Sequence, residues 1–168
     1  MLALKMEGGA NETIRAALDQ RLMDQEVAPI RSQAELQEYL RVLPARSPLK
    51  FLSPVAREKF LNSLVFSRNG LASYSYKDLA IELTALEAYK VLALFGQQAT
   101  VTLIPGLRQP DGFSKTIMSS AGSRAFASPG DGRCSPEASS KADYPDHACV
   151  ARATCVEALG KICVGANC

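Results

Sequence analysis

The sequence predicts a mainly α-helical fold: a small helical bundle of about five helices, then a Gly/Pro/Ser-rich linker, then a small disulfide-stabilised Cys-rich C-terminal unit. Capping residues followed by apolar residues at helical spacing recur through the first two thirds of the chain. The next stretch is rich in Gly, Pro and Ser, and all five cysteines lie beyond residue 133. This separation of the cysteines from the helical part divides the chain.

These changes of composition predict four segments. Residues 1–10 are expected to form a disordered N-terminus, 11–104 the helical domain, 105–133 the linker and 134–168 the Cys-rich tail. The linker contains too few apolar residues to offset the conformational entropy lost on folding. The tail is too short to fold on a hydrophobic core alone, so it needs disulfides, a metal or docking onto the larger domain.

Two helices are predicted at the start of the helical domain. Asn11 is a good N-cap for a helix that reaches about Val27. Ser32 and Glu35 have the pattern of a capping box, in which the serine caps an amide and the glutamate reaches back. Pro44 ends the second helix because proline lacks the N–H that the next turn requires.

The third helix has a clear start and a less clear end. Ser53 is its predicted N-cap, and Pro54 occupies the first turn, where the missing N–H costs nothing. The apolar stripe continues past Leu64, so we expect the helix to end near Asn69 with Gly70 as its C-cap. The alternative is a β-hairpin with a short extended piece, since Asn-Gly also suits a hairpin turn.

The last part of the helical domain contains its most apolar stretch. Ser75 and Thr84 are cap-like starts of two further helices. Residues 85–95 are apolar on nearly every side, which predicts that this helix is central and surrounded by others. Gly96 supplies the left-handed residue that commonly follows a helix. Residues 99–104 favour a short strand or an extended strap over the bundle.

A further helix is predicted inside the tail. Asp146 is its cap and Gly160 its stop. On such a helix Cys149 and Cys155 lie on different faces and do not bridge each other. Each is then expected to pair with another cysteine of the tail.

The cysteines are interpreted chiefly as disulfide partners. They alternate with small and polar residues in a short segment, as in small secreted domains. Each bridge across a loop of this size contributes about 2–4 kcal/mol, enough to fold the tail. The pairing stays open, and one thiol of the five is left free or joins two chains in an intermolecular disulfide. The residues concerned are Cys134, Cys149, Cys155, Cys163 and Cys168.

A zinc site in the tail is the alternative to disulfides. Cysteine and histidine are the side chains that structural zinc sites use. The spacing is unfavourable, because such sites usually contain two cysteines two to four residues apart, and only Cys163 and Cys168 come near that. The alternative ligands are His147, Cys149, Cys155, Cys163 and Cys168.

The sequence gives little support to catalysis. His147 is the only histidine, and it lies at a predicted helix start. No nucleophile elbow, phosphate-binding loop or zinc-protease motif occurs. The carboxylate pairs Glu35 with Glu38 and Glu82 with Glu87 have the spacing of solvated helix surfaces. We therefore expect no catalytic residue, no enzyme activity and no cofactor.

Charge and hydropathy limit the location and the partners. The formal net charge is +2 with both signs mixed along the chain, so no nucleic-acid binding is expected. No stretch approaches the roughly 20 apolar residues of a membrane span. The first residues lack the apolar region of a signal peptide. We expect a secreted or periplasmic protein whose signal has been trimmed or misassigned, with a cytoplasmic location as the alternative.

Three functional hypotheses follow. The first is a non-enzymatic exported protein that binds an unknown protein partner and carries a disulfide-stabilised tail. Tyr74 and Tyr76 are its candidate partner surface, although core tyrosines give the same pattern. The second is a precursor polypeptide whose helical leader presents the Cys-rich tail for modification. The third is a cytosolic helical domain with a zinc-binding tail.

Overall fold

The computed structural model describes residues 4–119 and 142–168. Helices occupy most of the first part, and strands occur in both parts. In chain order the elements are α1 (Leu4–Val27), α2 (Gln33–Val42), a 3-10 turn (Pro48–Phe51), α3 (Pro54–Asn62), β1 (Val65–Ser67), β2 (Gly70–Ser75), α4 (Lys77–Glu82), α5 (Ala85–Ala93), a 3-10 helix (Gln98–Leu103), α6 (Gly112–Ser119), β3 (Tyr144–Ala151) and β4 (Thr154–Cys163).

The fold is mixed α/β, so the prediction of a mainly α-helical bundle is wrong. Four antiparallel strands form one sheet in the order β1-β2-β4-β3. The two central strands, β2 and β4, are far apart in the sequence. Such a long-range pairing has no local signature, because the strand's neighbours and register are set by tertiary packing.

The helix starts predicted from capping residues are confirmed for α2, α3 and α5. The Ser32 hydroxyl accepts a hydrogen bond from the Glu35 amide at 3.2 Å. Thr84 and Glu87 form a complete capping box, in which each side chain accepts from the other residue's backbone amide. The Ser53 side chain accepts from the first turn of α3. These local signals survive because each is satisfied within one helical turn.

The core is built around α5. Its residues Ala85, Ala88, Val91 and Leu92 are fully buried. Both the helices and the central strands contribute to the same apolar cluster. The largest fully buried side chains are Tyr74, Phe60, Phe95, Ile30, Leu36, Leu49, Leu71, Leu79, Leu83, Leu92, Ile104 and Ile162.

Arg68 and Asn69 form the turn of a hairpin and Gly70 begins β2, so the expected helix C-cap at Gly70 is wrong. Helix α3 ends at Asn62, and β1 and β2 pair on either side of the turn. Gly70 has φ +130°, a conformation that L side chains rarely adopt. The Asn-Gly pair therefore marked a turn correctly, but the turn belongs to a hairpin.

Helical residues occur in three segments that were predicted to lack helix. Residues 98–103 form a 3-10 helix where a strand or strap was expected. Helix α6 lies within 105–133, the segment interpreted as linker, and residues 120–133 of that segment lie outside the described residues. Helix α1 begins at Leu4, within the residues expected to be disordered.

The helix predicted in the tail is wrong, because residues 144–163 form the hairpin of β3 and β4. Strand β4 pairs with β2 through Ile162 and Tyr74, and both side chains are fully buried. The tail is therefore built into the common sheet and core. Alanine, leucine and glutamate favour a helix here, but tertiary pairing overrides this weak preference.

The hairpin of β3 and β4 bends near Asp146 and Gly160, which both have positive φ, +57° and +81°. Strand β3 advances two residues from Pro145 to His147 while β4 advances five, so residues 158–161 have no partner on β3, although Lys161 pairs with Ser75 of β2. The Gly160 amide donates to the Asp146 carboxylate at 3.0 Å and fixes the bend.

Candidate binding groove

Two disulfides close the tail: Cys149 with Cys168 and Cys155 with Cys163. Cys149 and Cys155 face each other across the hairpin, yet each is bonded to a different cysteine. The expectation that these two do not bridge each other holds, although the helix on which it rested does not form. Cys134 lies outside the described residues.

Asn167 joins the C-terminal turn to the first hairpin and to α1. It is buried, and its side-chain amide donates to the Leu71 carbonyl at 3.0 Å. Its side-chain oxygen accepts from Gln25 Nε2 at 2.6 Å. Its backbone carbonyl accepts from the Ser67 hydroxyl. These bonds hold the last residues of the chain against the β1–β2 hairpin.

The tip of the β3–β4 hairpin is held against the same C-terminal turn. Arg152 and Ala153 form the two-residue connection between the strands, and Ala153 has φ +56°. The Ala153 amide donates to the Cys168 carbonyl at 2.7 Å. The Cys149–Cys168 disulfide makes the same attachment covalent. The position of the tip is therefore fixed by one hydrogen bond and one disulfide, both to Cys168.

A groove of about 550 Å³ lies between the β1–β2 hairpin and this tip. Its size falls in the range of roughly 300–1,000 Å³ that is typical of ligand sites. Residues 65–69 form one wall and 149–152 the other, and Ala72, Asn167 and Cys168 complete the lining. The groove thus lies where the β1–β2 hairpin, the tip of the β3–β4 hairpin and the C-terminal turn meet.

The groove combines apolar surface with positive charge. Val65 and Val150 are 40% and 61% exposed, one on each wall. Arg68 and Arg152 line the same walls, and no Asp or Glu side chain of the described residues lines the groove. Within residues 4–119 and 142–168, neither guanidinium forms an ion pair. This arrangement suits a ligand with both apolar groups and carboxylates.

His147 lies outside the groove, on β3. Its Nδ1 is 2.8 Å from the Pro145 carbonyl oxygen, and its ring centroid is 5.6 Å from that of Tyr144. The imidazole is therefore held by contacts within the hairpin and does not line the groove.

Tyr76 and Asp146 connect the bend of the hairpin to the start of α4, directly after β2. The Tyr76 hydroxyl donates to the Asp146 carboxylate at 2.5 Å. This hydrogen bond, together with burial, raises the pKa of Tyr76 to about 12. The same bond, together with the Gly160 amide, holds the pKa of Asp146 below its usual range.

Tyr74 and Tyr76 are placed in the core. Tyr74 is fully buried and only 9% of Tyr76 is exposed. The Tyr74 hydroxyl forms a hydrogen bond of 2.6 Å with the Thr100 hydroxyl, and its ring packs edge-on to Phe60. Both rings therefore pack in the interior.

The carboxylates that were predicted to lie on solvated helix surfaces form structural hydrogen bonds or ion pairs. Glu38 accepts from Arg41 one turn along α2. Both carboxylate oxygens of Glu82 accept from Ser53, which holds the pKa of Glu82 below its usual range. Glu87 completes the capping box of α5.

Three cysteine sulfurs come together beside the groove. The Sγ atoms of Cys149, Cys163 and Cys168 all lie within 4.8 Å of one another, and Cys155 is bonded to Cys163. His147, the remaining ligand of the alternative zinc set, is not in this cluster.

Sequence reasoning missed Arg68, Arg152 and Asn167. Arg68 directly precedes the Asn-Gly pair, so the hairpin alternative at this position places Arg68 in the turn. The turn at Arg152 contains no glycine, proline or asparagine, and therefore lacks the usual signal. Asn167 acts through contacts that only the fold creates.

No protein family, curated sequence or solved structure matches this chain. The site is accordingly interpreted from its own residues. Within the described residues, no helix combines the length and the apolar character needed to cross a membrane.

Proposed function

We propose that the protein is a non-enzymatic, exported binding protein whose groove holds an extended acidic segment of a partner protein. The observation that carries this proposal is the placement of Arg68 and Arg152 on opposite walls of a partly apolar groove. No Asp or Glu side chain of the described residues offsets their charge there. Complementary charge of this kind selects partners that carry carboxylates and speeds their association.

The geometry favours an extended partner segment. Strand β1 lies at one edge of the sheet, and its three residues line the groove. An edge strand offers backbone groups to an added strand, while alternate side chains of that strand enter neighbouring pockets. Val65 and Val150, one on each wall, provide apolar contacts beside the two arginines.

The disulfides support export and binding together. Disulfides persist in secreted and periplasmic proteins and are rare in the cytosol, where thiols are kept reduced. The Cys149–Cys168 bridge also forms part of the groove. A wall fixed in this way loses less conformational entropy when a partner binds.

The test is fluorescence anisotropy with two labelled probes, an octapeptide of alternating Glu and Leu and one of alternating Lys and Leu. We expect the oxidised chain to bind the Glu-Leu peptide, with affinity falling as salt is added. The double variant Arg68→Glu/Arg152→Glu should bind this peptide at least about tenfold more weakly, because two exposed charge pairs of about 0.7 kcal/mol each are lost and like charges then repel. The same variant should gain affinity for the Lys-Leu peptide.

A matched control separates the groove from overall charge. Arg31 and Arg46 are exposed arginines that do not line the groove. The variant Arg31→Glu/Arg46→Glu has the same change in net charge and should bind the Glu-Leu peptide like the unmodified chain. Absence of binding to the oxidised chain, or an equal loss in both double variants, contradicts the proposal.

A further inference from the structure

The two disulfides of the tail are neighbours. Cys163 belongs to one bridge, but its sulfur lies within 4.8 Å of both sulfurs of the other, Cys149 and Cys168. Cys155 is the fourth member, since it is bonded to Cys163. Three sulfurs therefore lie close together, and the fourth is attached to one of them, although the four residues come from two strands and the C-terminal turn.

Backbone contacts hold these residues in place independently of the disulfides. Cys163 is fully buried and pairs with Ser73 of β2. Cys149 and Cys155 are opposite each other in the ladder of β3 and β4. The Cys168 amide donates to the Val164 carbonyl, and its carbonyl accepts from the hairpin tip. Three of the four residues are thus positioned by the sheet, and Cys168 by the backbone hydrogen bonds of the C-terminal turn.

Such a group of sulfurs matches the geometry of a structural zinc site. Tetrahedral zinc holds thiolates at about 2.3 Å, which separates neighbouring sulfurs by about 3.8 Å. Reduction breaks both S–S bonds, and each freed side chain can then move between its staggered rotamers to separate the sulfurs. An all-sulfur ligand set selects zinc over magnesium or calcium, which prefer oxygen.

We propose that, once both disulfides are reduced, Cys149, Cys155, Cys163 and Cys168 bind one zinc ion as a tetrahedral tetrathiolate. A dithiol supplies two electrons and two protons to each S–S bond, and becomes a cyclic disulfide itself. The four resulting thiols lose their protons as zinc binds, so up to four protons are released for each ion. The site takes no ligand from His147.

The site gives the tail a second way of staying folded. Zinc binding to the reduced chain stabilises the arrangement that the disulfides stabilise in the oxidised chain. The chain would then keep the β3–β4 hairpin in a reducing as well as an oxidising environment. This inference does not rest on the proposed acidic partner. Its test measures the binding of metal ions, whereas the test of the groove measures the binding of peptides.

The test uses the full chain, reduced with dithiothreitol, desalted under nitrogen and titrated with Co²⁺ as a spectroscopic substitute for zinc. We expect saturation at one Co²⁺ per chain, with the intense visible bands of tetrahedral thiolate cobalt, and loss of these bands when Zn²⁺ displaces it. Thermal unfolding of the reduced chain should shift to higher temperature with Zn²⁺. Cys134→Ser is the control and should leave all three results unchanged.

The ligand set is tested residue by residue. Each of the four variants Cys149→Ser, Cys155→Ser, Cys163→Ser and Cys168→Ser should lose the tetrahedral bands. Since a serine variant can also fail to fold, Cys168→His is included, and it should keep one Co²⁺ with bands shifted to shorter wavelength. Absence of tetrahedral bands in the unmodified chain, or bands that persist in Cys163→Ser, overturns the proposal. Bands that require Cys134 overturn the assigned ligands.

Discussion

Arg21 and Asp143 form an ion pair at 2.5 Å between α1 and the residue just before β3, 122 positions apart in the chain. Only 13% and 3% of their side chains are exposed. Arg21 also donates to Gln97 Oε1 at 3.0 Å. Burial raises the pKa of Asp143, and the Arg21 guanidinium opposes that shift. The pair therefore connects the first helix to the start of the tail, and the desolvation of the Asp143 carboxylate opposes part of this stabilisation.

We predict that Arg21→Gln destabilises the protein by about 3 kcal/mol at pH 7, because it leaves a buried carboxylate without its cation. A raised pKa in the folded state means that stability from this group is greatest below the unfolded pKa and falls as the pH rises through the folded pKa. Removing Arg21 raises the folded pKa of Asp143 further. The loss should therefore be smaller at about pH 4.5 than at pH 7, because a lower pH favours the protonated carboxyl and so relieves the unpaired buried charge.

Urea unfolding at the two pH values measures this difference. Arg41→Gln is the matched control, since Arg41 pairs with Glu38 on the exposed face of α2. An exposed pair contributes about 0.5 kcal/mol or less, so the control should change little at either pH. An Arg21→Gln loss of the same size at both pH values would show that the charge of Asp143 is not its cause.

Gly96 and Gly106 offer a paired test of packing at the end of α5. Both have positive φ, +71° and +78°. A Cβ at Gly96 would lie 2.8 Å from Gln25 Cα, whereas a Cβ at Gly106 meets nothing within 4 Å. We predict that Gly106→Ala costs about 1 kcal/mol from backbone strain alone. Gly96→Ala should cost at least about 2 kcal/mol more, because α1 must move. Equal losses in thermal or urea unfolding would contradict the close approach of α1.

The buried hydroxyls of Tyr74 and Thr100 make unequal contributions. The Thr100 hydroxyl donates to the Gln97 carbonyl at 2.7 Å, so the Tyr74 hydroxyl donates to Thr100. In Tyr74→Phe, Thr100 keeps its acceptor and the cost should be about 1 kcal/mol. In Thr100→Val, the Tyr74 hydroxyl is left buried without an acceptor, and the cost should be about 2 kcal/mol or more. Urea unfolding that ranks the two variants in the opposite order would refute the assigned direction.

The disulfides should stabilise the whole fold and not the tail alone. Loops of the size closed by Cys149–Cys168 and Cys155–Cys163, with sequence separations of 19 and 8, are expected to contribute about 3 and about 2.5 kcal/mol. Replacing either pair with serines should lower the midpoint of one common transition, because β4 pairs with β2 in the core. Far-UV and tyrosine circular dichroism should then report the same midpoint. Two separate transitions would mean that the tail folds as an independent unit.

Features confined to one helical turn were predictable from the sequence. The capping box of Thr84 and Glu87 and the cap at Ser53 are satisfied locally, so their residues suffice to predict them. The sheet was not predictable, because β4 finds its partner far away in the sequence. Its hairpin also turns at Ala153, a residue that rarely adopts positive φ and gives no turn signal.

The candidate site shows the same division. The cysteines identified the tail as the chemically distinctive segment, and spacing alone left their pairing open. The groove depends on Asn167, whose hydrogen bonds to Leu71 and Gln25 join three parts of the chain. No periodicity or motif encodes such a junction, so the arginines beside it could not be recognised before the fold was known.

Disulfide mapping tests the central claim most directly: the tail is a hairpin closed by Cys149–Cys168 and Cys155–Cys163 and built into the sheet. Protein made in an oxidising compartment is blocked at its free thiols and digested with trypsin, which cleaves after Lys141, Arg152 and Lys161. We expect a single species that joins peptides 142–152, 153–161 and 162–168.

Fragmentation of that species between Cys163 and Cys168 distinguishes the two ways of joining the three peptides. Cys168 should stay with peptide 142–152 and Cys163 with peptide 153–161. The exchanged pairing, a bridge between Cys149 and Cys155, or five freely blocked thiols in protein from that compartment would contradict it.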